Sequence, residues 1–597
     1  MRLATLSSLY ALQDAVLFHY SRLRKKNPFL VFGAALFLAL CFFSWLFKSP
    51  DAYGSAIGAT QRHGFAASSP TPLDKHIHPV PKLIYTARAD FEKTAASQSR
   101  TLPQAVREYK RRYKINPPPN FDKWFEFAKE NSVQIIDEYD SIYHMLLPFW
   151  GLAPPVLRAR TKEVLSSDDF LMGILIRNGQ VVSVKRGESW QQEAIPGMLQ
   201  GFVQHLPNMD IAINLHDEAR VVLPHDDLAR FVQRAKTETI PRAQMNNFPE
   251  NLWSDAPEEL RGSEIQASIS SLFNDFRRQF TWTTSRLSCP PDTPARSLNF
   301  DGKSSPDQLS AYVVGELGFM YNRTAYTDVC LAPSLADTFG FFNRPNAFHI
   351  THELIPIFSP SKVSSFQDIL FPNPWNWADR VWYNVSADLD WDQKTEKVYW
   401  RGTTSSGFSR NGTWHKQHRQ RFVEKVNKPG IVSKIMTRKK RKSAWHVQEV
   451  QQRDYSYLFD VHFSLIYQCS DEDCKKQEEY FGVMPKDDYD QNWRFKYLLD
   501  IDGNAFSGRF HTFLRSKSLT FKLTMFREWH DEWIKPWVHY VPWTIRGEEH
   551  LESLRYLVEE EDGRDLSRQI VSDSSAWAGK VLRRVDMEAW FFRLLLE

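Results

Sequence analysis

Twenty consecutive uncharged residues, PFLVFGAALFLALCFFSWLF at positions 28–47, constrain this chain more than any other feature. At helical rise they span about 30 Å, the thickness of a bilayer core. Arg22, Arg24, Lys25 and Lys26 stand just before the run, and Lys48 is almost alone after it. That asymmetry keeps the N-terminus cytosolic and sends the rest of the chain across the membrane. A signal peptide would have a shorter apolar core and small residues at its cleavage site, and Trp45, Leu46, Phe47 and Lys48 are a poor match. The expectation is a cytosolic tail (1–27), an uncleaved transmembrane anchor (28–47) and a large body beyond it.

The 597 residues carry 75 basic and 71 acidic side chains, a net charge of +4 that gives no reason to expect nucleic acid. The basic run KIMTRKKRK at 434–442 reads as a solvated loop or helix face, with contact to an acidic partner or an anionic membrane surface as the alternative. Of five cysteines, Cys41 lies in the anchor. The other four form an even set suited to an oxidising compartment. Cys469 and Cys474 flank SDED and close a small loop, which leaves Cys289 for Cys330. Three sequons, at Asn322, Asn384 and Asn411, are compatible with glycosylation in a secretory lumen.

Residues 48–90 are rich in Gly, Ser, Ala and Pro at first and read as a stem. A helical region follows at 91–195. Thereafter short apolar runs alternate with mixed segments: DIAINL (210–215), a short TEKVYWR strand (395–401), and FKYLLDI (495–501) followed by a Gly turn and a helix at RFHTFLRS. Strand, turn and helix in that order predict an α/β body. Residues 576–596 carry an amphipathic helical pattern, too charged for a second span, that would clasp the lobes.

Two loops suit phosphate chemistry. In LLDIDGNAFSGR (498–509) a strand ends near Asp502, and Ser507 caps a helix starting around Gly508 and Arg509. Free amides and the Arg509 guanidinium would then face a diphosphate. In YWRGTTSS (399–406), Arg401, Gly402, Thr403 and the following hydroxyls offer a second such surface. Asp217, two residues past the DIAINL strand, is the candidate base. Asp210 is about 23 Å away along an extended chain, too far for the roughly 5–9.5 Å of a glycosidase pair, and is read as structural. Asp388-Leu-Asp390 and Asp471-Glu-Asp473 look like solvated loops rather than metal ligands. FHITHE around His349 and His352 lacks the HExxH spacing. Among 20 tryptophans, only Trp375 and Trp377 sit in a loop-like segment suited to stacking on a sugar.

The stretches IPIFSPSKVSSFQDILFPNPWNW (355–377), YWRGTTSSG (399–407), KYLLDIDGNAFSGRFHTFLRSKSLTFK (496–522), WIKPWVHYVPW (533–543) and the final AWAGKVLRRVDMEAWFFRLLLE resemble glycosyltransferase family 90, the capsule-associated and protein O-glucosyltransferase superfamily, in its fungal type II membrane branch. The resemblance implies a GT-B-like α/β fold of two Rossmann-like lobes with a C-terminal helical clasp: an acceptor-side lobe (196–390), a sugar-nucleotide lobe (391–550) and closing helices (551–597). It implies inverting transfer of a sugar, xylose or glucose, from a UDP-sugar to a hydroxyl of a glycan or glycoprotein, with no obligatory metal. Asn214-Leu-His-Asp217 matches the family's base motif, with His216 where arginine is usual; Arg401 and Arg509 match its diphosphate arginines, with Ser507 nearby, and Asp502 becomes a nucleotide or sugar contact. The expected location is the Golgi membrane, with the endoplasmic reticulum as the alternative. A catalytically silent sugar-nucleotide or glycan-binding protein and a glycoside hydrolase are the competing functions.

Overall fold

An apolar run, LMGILIR, meets QVVSVK across Asn178 and Gly179, whose φ values of 49° and 72° are the left-handed conformations that a two-residue hairpin turn demands. These strands, β1 (Leu171–Arg177) and β2 (Gln180–Lys185), open the first sheet of the computed structural model, which describes residues 74–597 other than 168–169, 247–248, 250–271 and 298–305. The expected tail, anchor and most of the stem lie outside the described residues. Among the described residues, no helix is long and apolar enough to cross a membrane.

β3 (Met209–Asn214) pairs antiparallel to β1 and parallel to β4 (Ile357–Ser359), which in turn runs parallel to β5 (Ile369–Leu370). The sheet order is β2-β1-β3-β4-β5. It is therefore mixed, and it recruits two strands from the 91–195 stretch expected to be helical. Helices do fill that stretch before β1, at Leu102–Tyr113, Phe121–Glu130 and Asp140–Leu146. Asp210 ion-pairs with Arg177 at 2.8 Å across β1 and β3, the structural role expected of it.

The second sheet is wholly parallel. β6 (Thr395–Thr403), β7 (Phe459–Leu465), β8 (Phe495–Ile501), β9 (Leu519–Leu523) and β10 (Val541–Trp543) lie in the order β7-β6-β8-β9-β10. β6 runs nine residues, longer than its charged start suggested, because neighbours pair it on both sides. Val398, Val461, Leu499, Ile501 and Phe521 make its core.

The C-terminal pattern is two helices, Glu561–Val581 and Arg584–Leu596. The first packs Leu566 and Ile570 into the core of the second sheet and Ala578 and Val581 into that of the first. The second is buried nearly all round: Trp590, Phe591, Phe592 and Leu594 enter the core beneath β3 and β5. The expected clasp is thus a chain that leaves one lobe and ends inside the other. Together the two sheets and their helices form an α/β fold consistent with a GT-B-like architecture.

Candidate functional site

Numbered within the second sheet, the strand order reads 2-1-3-4-5, and the chain reverses its winding direction between β6 and β8. In parallel sheets of this kind ligands bind outside the carboxyl ends of the strands at that reversal. The two motifs singled out in the sequence end there together, β6 at Thr403 and β8 at Ile501.

A residue without any sequence signal ties those ends. Arg419, buried in the helix His418–Asn427, donates to the carbonyls of Thr403 (3.0 Å), Ile501 (3.1 Å) and Asp502 (2.7 Å) and to Ser405 Oγ (3.0 Å). No carboxylate among the described residues lies within ion-pair distance of it. Burial first, and then the Arg509 charge, press its pKa downward, and the Asp502 and Asp500 carboxylates, beyond ion-pair distance, offset this only in part.

Arg509 itself is half-buried and donates to the Arg401 carbonyl at 2.9 Å. It too lacks a carboxylate partner among the described residues. The helix after it begins at Phe510, spans only Phe510–Arg515, and is N-capped by Arg509 without a side-chain bond. Ser507 therefore does not cap the helix: its carbonyl accepts a long 3.5 Å bond from Phe510 N, and the first helical turn closes on the Arg509 carbonyl instead. Gly508 lies under the Trp375 indole, and Asn376 Nδ2 donates to its carbonyl at 3.0 Å.

Arg401 occupies a different environment. Its guanidinium pairs with Asp460 at 2.7 Å and Asp487 at 3.2 Å, and Tyr399 donates to the same Asp487 at 2.6 Å. Gly402 leaves room for the Trp400 ring, and Thr403 Oγ1 bonds Ser405 Oγ at 2.8 Å. Asp502 is fully buried. Its Oδ2 accepts from Met525 N at 2.7 Å, while Oδ1 has no partner among the described residues. Burial pushes its carboxyl up to about 6, against the pull of Lys522.

On the first sheet, Asn214 ends β3 and organises the turn beyond it. Its Oδ1 accepts from His216 N at 3.0 Å, and its Nδ2 donates to the Glu218 carbonyl (2.8 Å) and to Ser359 Oγ (3.1 Å). Asp217 projects from this turn, exposed to solvent yet walled by protein, and that confinement raises its carboxyl above the ordinary value. Glu218, buried beside it, accepts from Ala347 N at 3.1 Å and is pushed to about 8 by burial and by the Asp217 charge. The carboxylate of Asp368 receives the Arg220 and Val221 amides at 2.8 and 2.7 Å, which gives the 355–377 motif its role: it holds the far side of the Asp217 turn.

One segment touches both half-sites. Gly340 lies so close to the Ser406 carbonyl that a Cβ would collide with it, Phe408 N donates to the Arg344 carbonyl at 2.6 Å, and Ala347 then reaches Glu218. Trp375 borders the arginine loop. Trp377 does not: its Nε1 donates to Glu588 at 2.8 Å and its ring rests on Gly197, so it packs the clasp against the first lobe.

The disulfides are Cys289–Cys330 and Cys469–Cys474. Asn411 is exposed, whereas Asn384 donates to Asp490 at 2.7 Å and Asn322 accepts from Ala325 N at 3.1 Å. Three of the four Asp-x-Asp carboxylates are engaged in holding the fold: Asp388 with Lys394, Asp390 with Lys517, and Asp473 with Ser409 and the Gly412 amide; Asp471 is exposed in the first turn of the helix Asp471–Phe481. Among the described residues no group of three or more His, Cys, Asp or Glu side chains could hold a metal ion. His352 Nδ1 meets the Val222 carbonyl at 2.8 Å, a packing role.

Residues 341–597 match the family model described as Glycosyl transferase family 90. Two O-glucosyltransferase rumi homologs, from Aedes aegypti and Anopheles gambiae, are each 24% identical over 271 and 275 residues respectively. Those alignments take in 41% of this chain, which spans about half (56%) of the length of the curated relatives it matches. The matched region contains β6 to β10, both arginine loops and the clasp, and the chain thus carries a glycosyltransferase family 90-like domain distantly related to O-glucosyltransferase rumi homologs.

Proposed function

We propose that the protein is an inverting glycosyltransferase that takes a UDP-sugar at the β6/β8 reversal and moves the sugar to a hydroxyl of a glycan or glycoprotein. The observation that carries this reading is a pair of neighbouring guanidiniums, Arg419 and Arg509, left without carboxylate counter-charge at the strand ends where a ligand belongs. Two cations of this kind fit the charge of a diphosphate. Arg509 is the half-buried member and contacts the phosphates; Arg419 fixes the Thr403–Ser405 and Ile501–Asp502 ends around them. Gly402, Thr403, Ser507 and Gly508 form the surrounding loop walls, and the fully buried Asp502 carboxylate backs them from within through its bond from Met525 N.

Asp217 accepts the proton of the acceptor hydroxyl. The acceptor oxygen forms its bond to C1 from the face opposite the diphosphate, the bond from C1 to the diphosphate oxygen breaks, and that oxygen keeps the electron pair. Arg509 stabilises the charge that develops there. Xylose and glucose remain the proposed donors, and the fungal type II branch and Golgi membrane the proposed setting. In that setting residues 28–47 anchor the body, and Asn411 is the sequon best presented for glycosylation.

A second reading, a sugar-nucleotide or glycan-binding protein without turnover, is favoured by one observation. Asp460 and Asp487 already neutralise Arg401, which leaves the diphosphate one arginine fewer than the motif implied. UDP release from a panel of UDP-sugars, with and without glycan acceptors, separates the two. Acceptor-stimulated release that disappears in Asp217→Asn establishes transfer. UDP-sugar binding with no release by any acceptor establishes the silent reading. A folded protein that neither binds nor releases UDP sinks both.

A further inference from the structure

Beside Asp217 lies a cavity of about 260 Å³ that neither arginine loop lines. Its lining is fastened to the residues that flank Asp217. Phe170 precedes β1, and its carbonyl accepts from Leu215 N at 3.1 Å, two residues before Asp217. Asn346, also in the lining, adjoins Ala347, whose amide donates to Glu218, one residue after Asp217.

The lining is a mixture of one apolar face and several polar groups. Phe170 is 43% exposed at the rim and is held in place by two imidazoles: its centroid is 4.7 Å from that of His216, tilted 31°, and 5.4 Å from that of His349, edge-on. Asp275 and Arg277 form an ion pair at 2.5 Å on the same cavity. The Asn346 side-chain amide makes no hydrogen bond to any described residue.

We infer that this cavity binds one pyranose ring of the acceptor, with a C–H face on Phe170 and hydroxyls on Asn346 and the Asp275–Arg277 pair. The acceptor is then a carbohydrate chain end rather than a serine or threonine side chain. Size argues for this: the cavity falls below the roughly 300–1,000 Å³ that drug-sized ligands occupy, which suits a single ring. Chemistry argues the same way, because a sugar presents an apolar face and a fringe of hydroxyls, and this cavity presents a fixed aromatic face and charged or amide partners. The inference rests on the transferase reading for the word acceptor, but the binding it asserts does not need turnover.

The test is saturation-transfer difference NMR on the full-length protein in a detergent without sugar head groups, with UDP present. The probes are methyl α-mannopyranoside, methyl β-glucopyranoside, methyl β-galactopyranoside and, as the protein-like control, N-acetylserine methylamide. At least one methyl pyranoside binds, its affinity falls tenfold or more in Phe170→Ala and severalfold in Asn346→Ala, and Phe170→Tyr restores it. UDP affinity, measured on every variant, verifies that each is folded. No pyranoside binding by wild-type protein that still binds UDP overturns the inference. So does pyranoside binding indifferent to both alanine variants, or equal binding of the serine probe. Absence of UDP-sugar turnover with pyranoside binding intact sinks the transferase reading and leaves the cavity assignment standing.

Discussion

Two buried arginines divide this molecule into a part that holds and a part that waits. Arg593, in the C-terminal helix, lies under the rings of Phe121, Trp124, Tyr109 and Tyr139 at 4.4 to 5.3 Å and pairs with Glu597 at 2.7 Å. Four negative ring faces and a carboxylate compensate its charge within the fold. Arg419 is as deeply placed, yet its donors meet only carbonyl and hydroxyl oxygens. Neutral oxygens satisfy N–H groups without cancelling a charge, and desolvating an uncancelled charge is costly. The clasp has no such deficit, so its arginine is structural. The β6/β8 edge has one, and a bound anion would remove it.

The comparison makes separable demands on function and on stability. The largest effect belongs to the cleft: Asp217→Asn lowers transfer by about 10²–10⁴-fold, the usual worth of a general base, and leaves UDP affinity and melting temperature at wild-type values. Next comes Arg593→Met, which leaves the Glu597 carboxylate with only the Tyr109 hydroxyl and costs about 3 kcal/mol of stability, the low end of what breaking a buried pair costs. Denaturant titration reads it, and UDP affinity of the folded protein at low temperature is unchanged. An Arg593→Met protein as stable as wild type would end the claim that the clasp consumes its own charge.

Arg509→Ala is the mirror image. Loss of hydrogen bonds to a charged group, about 1.5–3 kcal/mol, weakens UDP binding some 10- to 150-fold by calorimetry with little change in melting temperature. A drop in stability without a drop in affinity would move Arg509 into the holding part of the molecule.

The smallest effect is a slope. Asp502 and Glu218 bind protons more tightly in the fold than in the unfolded chain, with folded values of about 6 and about 8. Their contribution to stability is full below the ordinary carboxylate range and is lost as pH rises toward those values. Their share of the stability should therefore shrink between pH 5 and 8, while buried neutral histidines such as His418 and His539 act in the opposite direction, so the effect is read as the pH-dependent difference in melting temperature between wild type and Glu218→Gln. Transfer should run the other way, rising with pH through the elevated pKa of Asp217, whose ionised form is the base.

Particular residues show why some of this was readable from the chain and some was not. FKYLLDI was legible as a strand because a run of apolar residues bounded by a Gly turn has few other uses, and β8 spans those seven residues. β1 and β2 carry the same kind of signal, two apolar runs around Asn-Gly, inside the stretch expected to be helical. The disulfides followed from scarcity, since four cysteines outside the apolar run at 28–47 leave few pairings. Trp375 and Trp377 were indistinguishable in PWNW. One borders Gly508 and the other bonds Glu588, and partners more than a hundred residues away decided which is which. Arg401 and Arg509 look alike as motif arginines, and only the folded neighbours Asp460 and Asp487 set them apart.

The sequence by itself determined the α/β body, the two loops that meet at the strand ends of its second sheet and the acidic residue just past β3, because strand hydrophobicity, turn residues and motif spacing are local properties. The tertiary structure alone decided which cations are spent and which are free, that Arg419 joins the two loops, and that a small aromatic-walled cavity lies beside Asp217. Charge compensation and cavity shape depend on groups brought together from distant parts of the chain, and no local pattern records them.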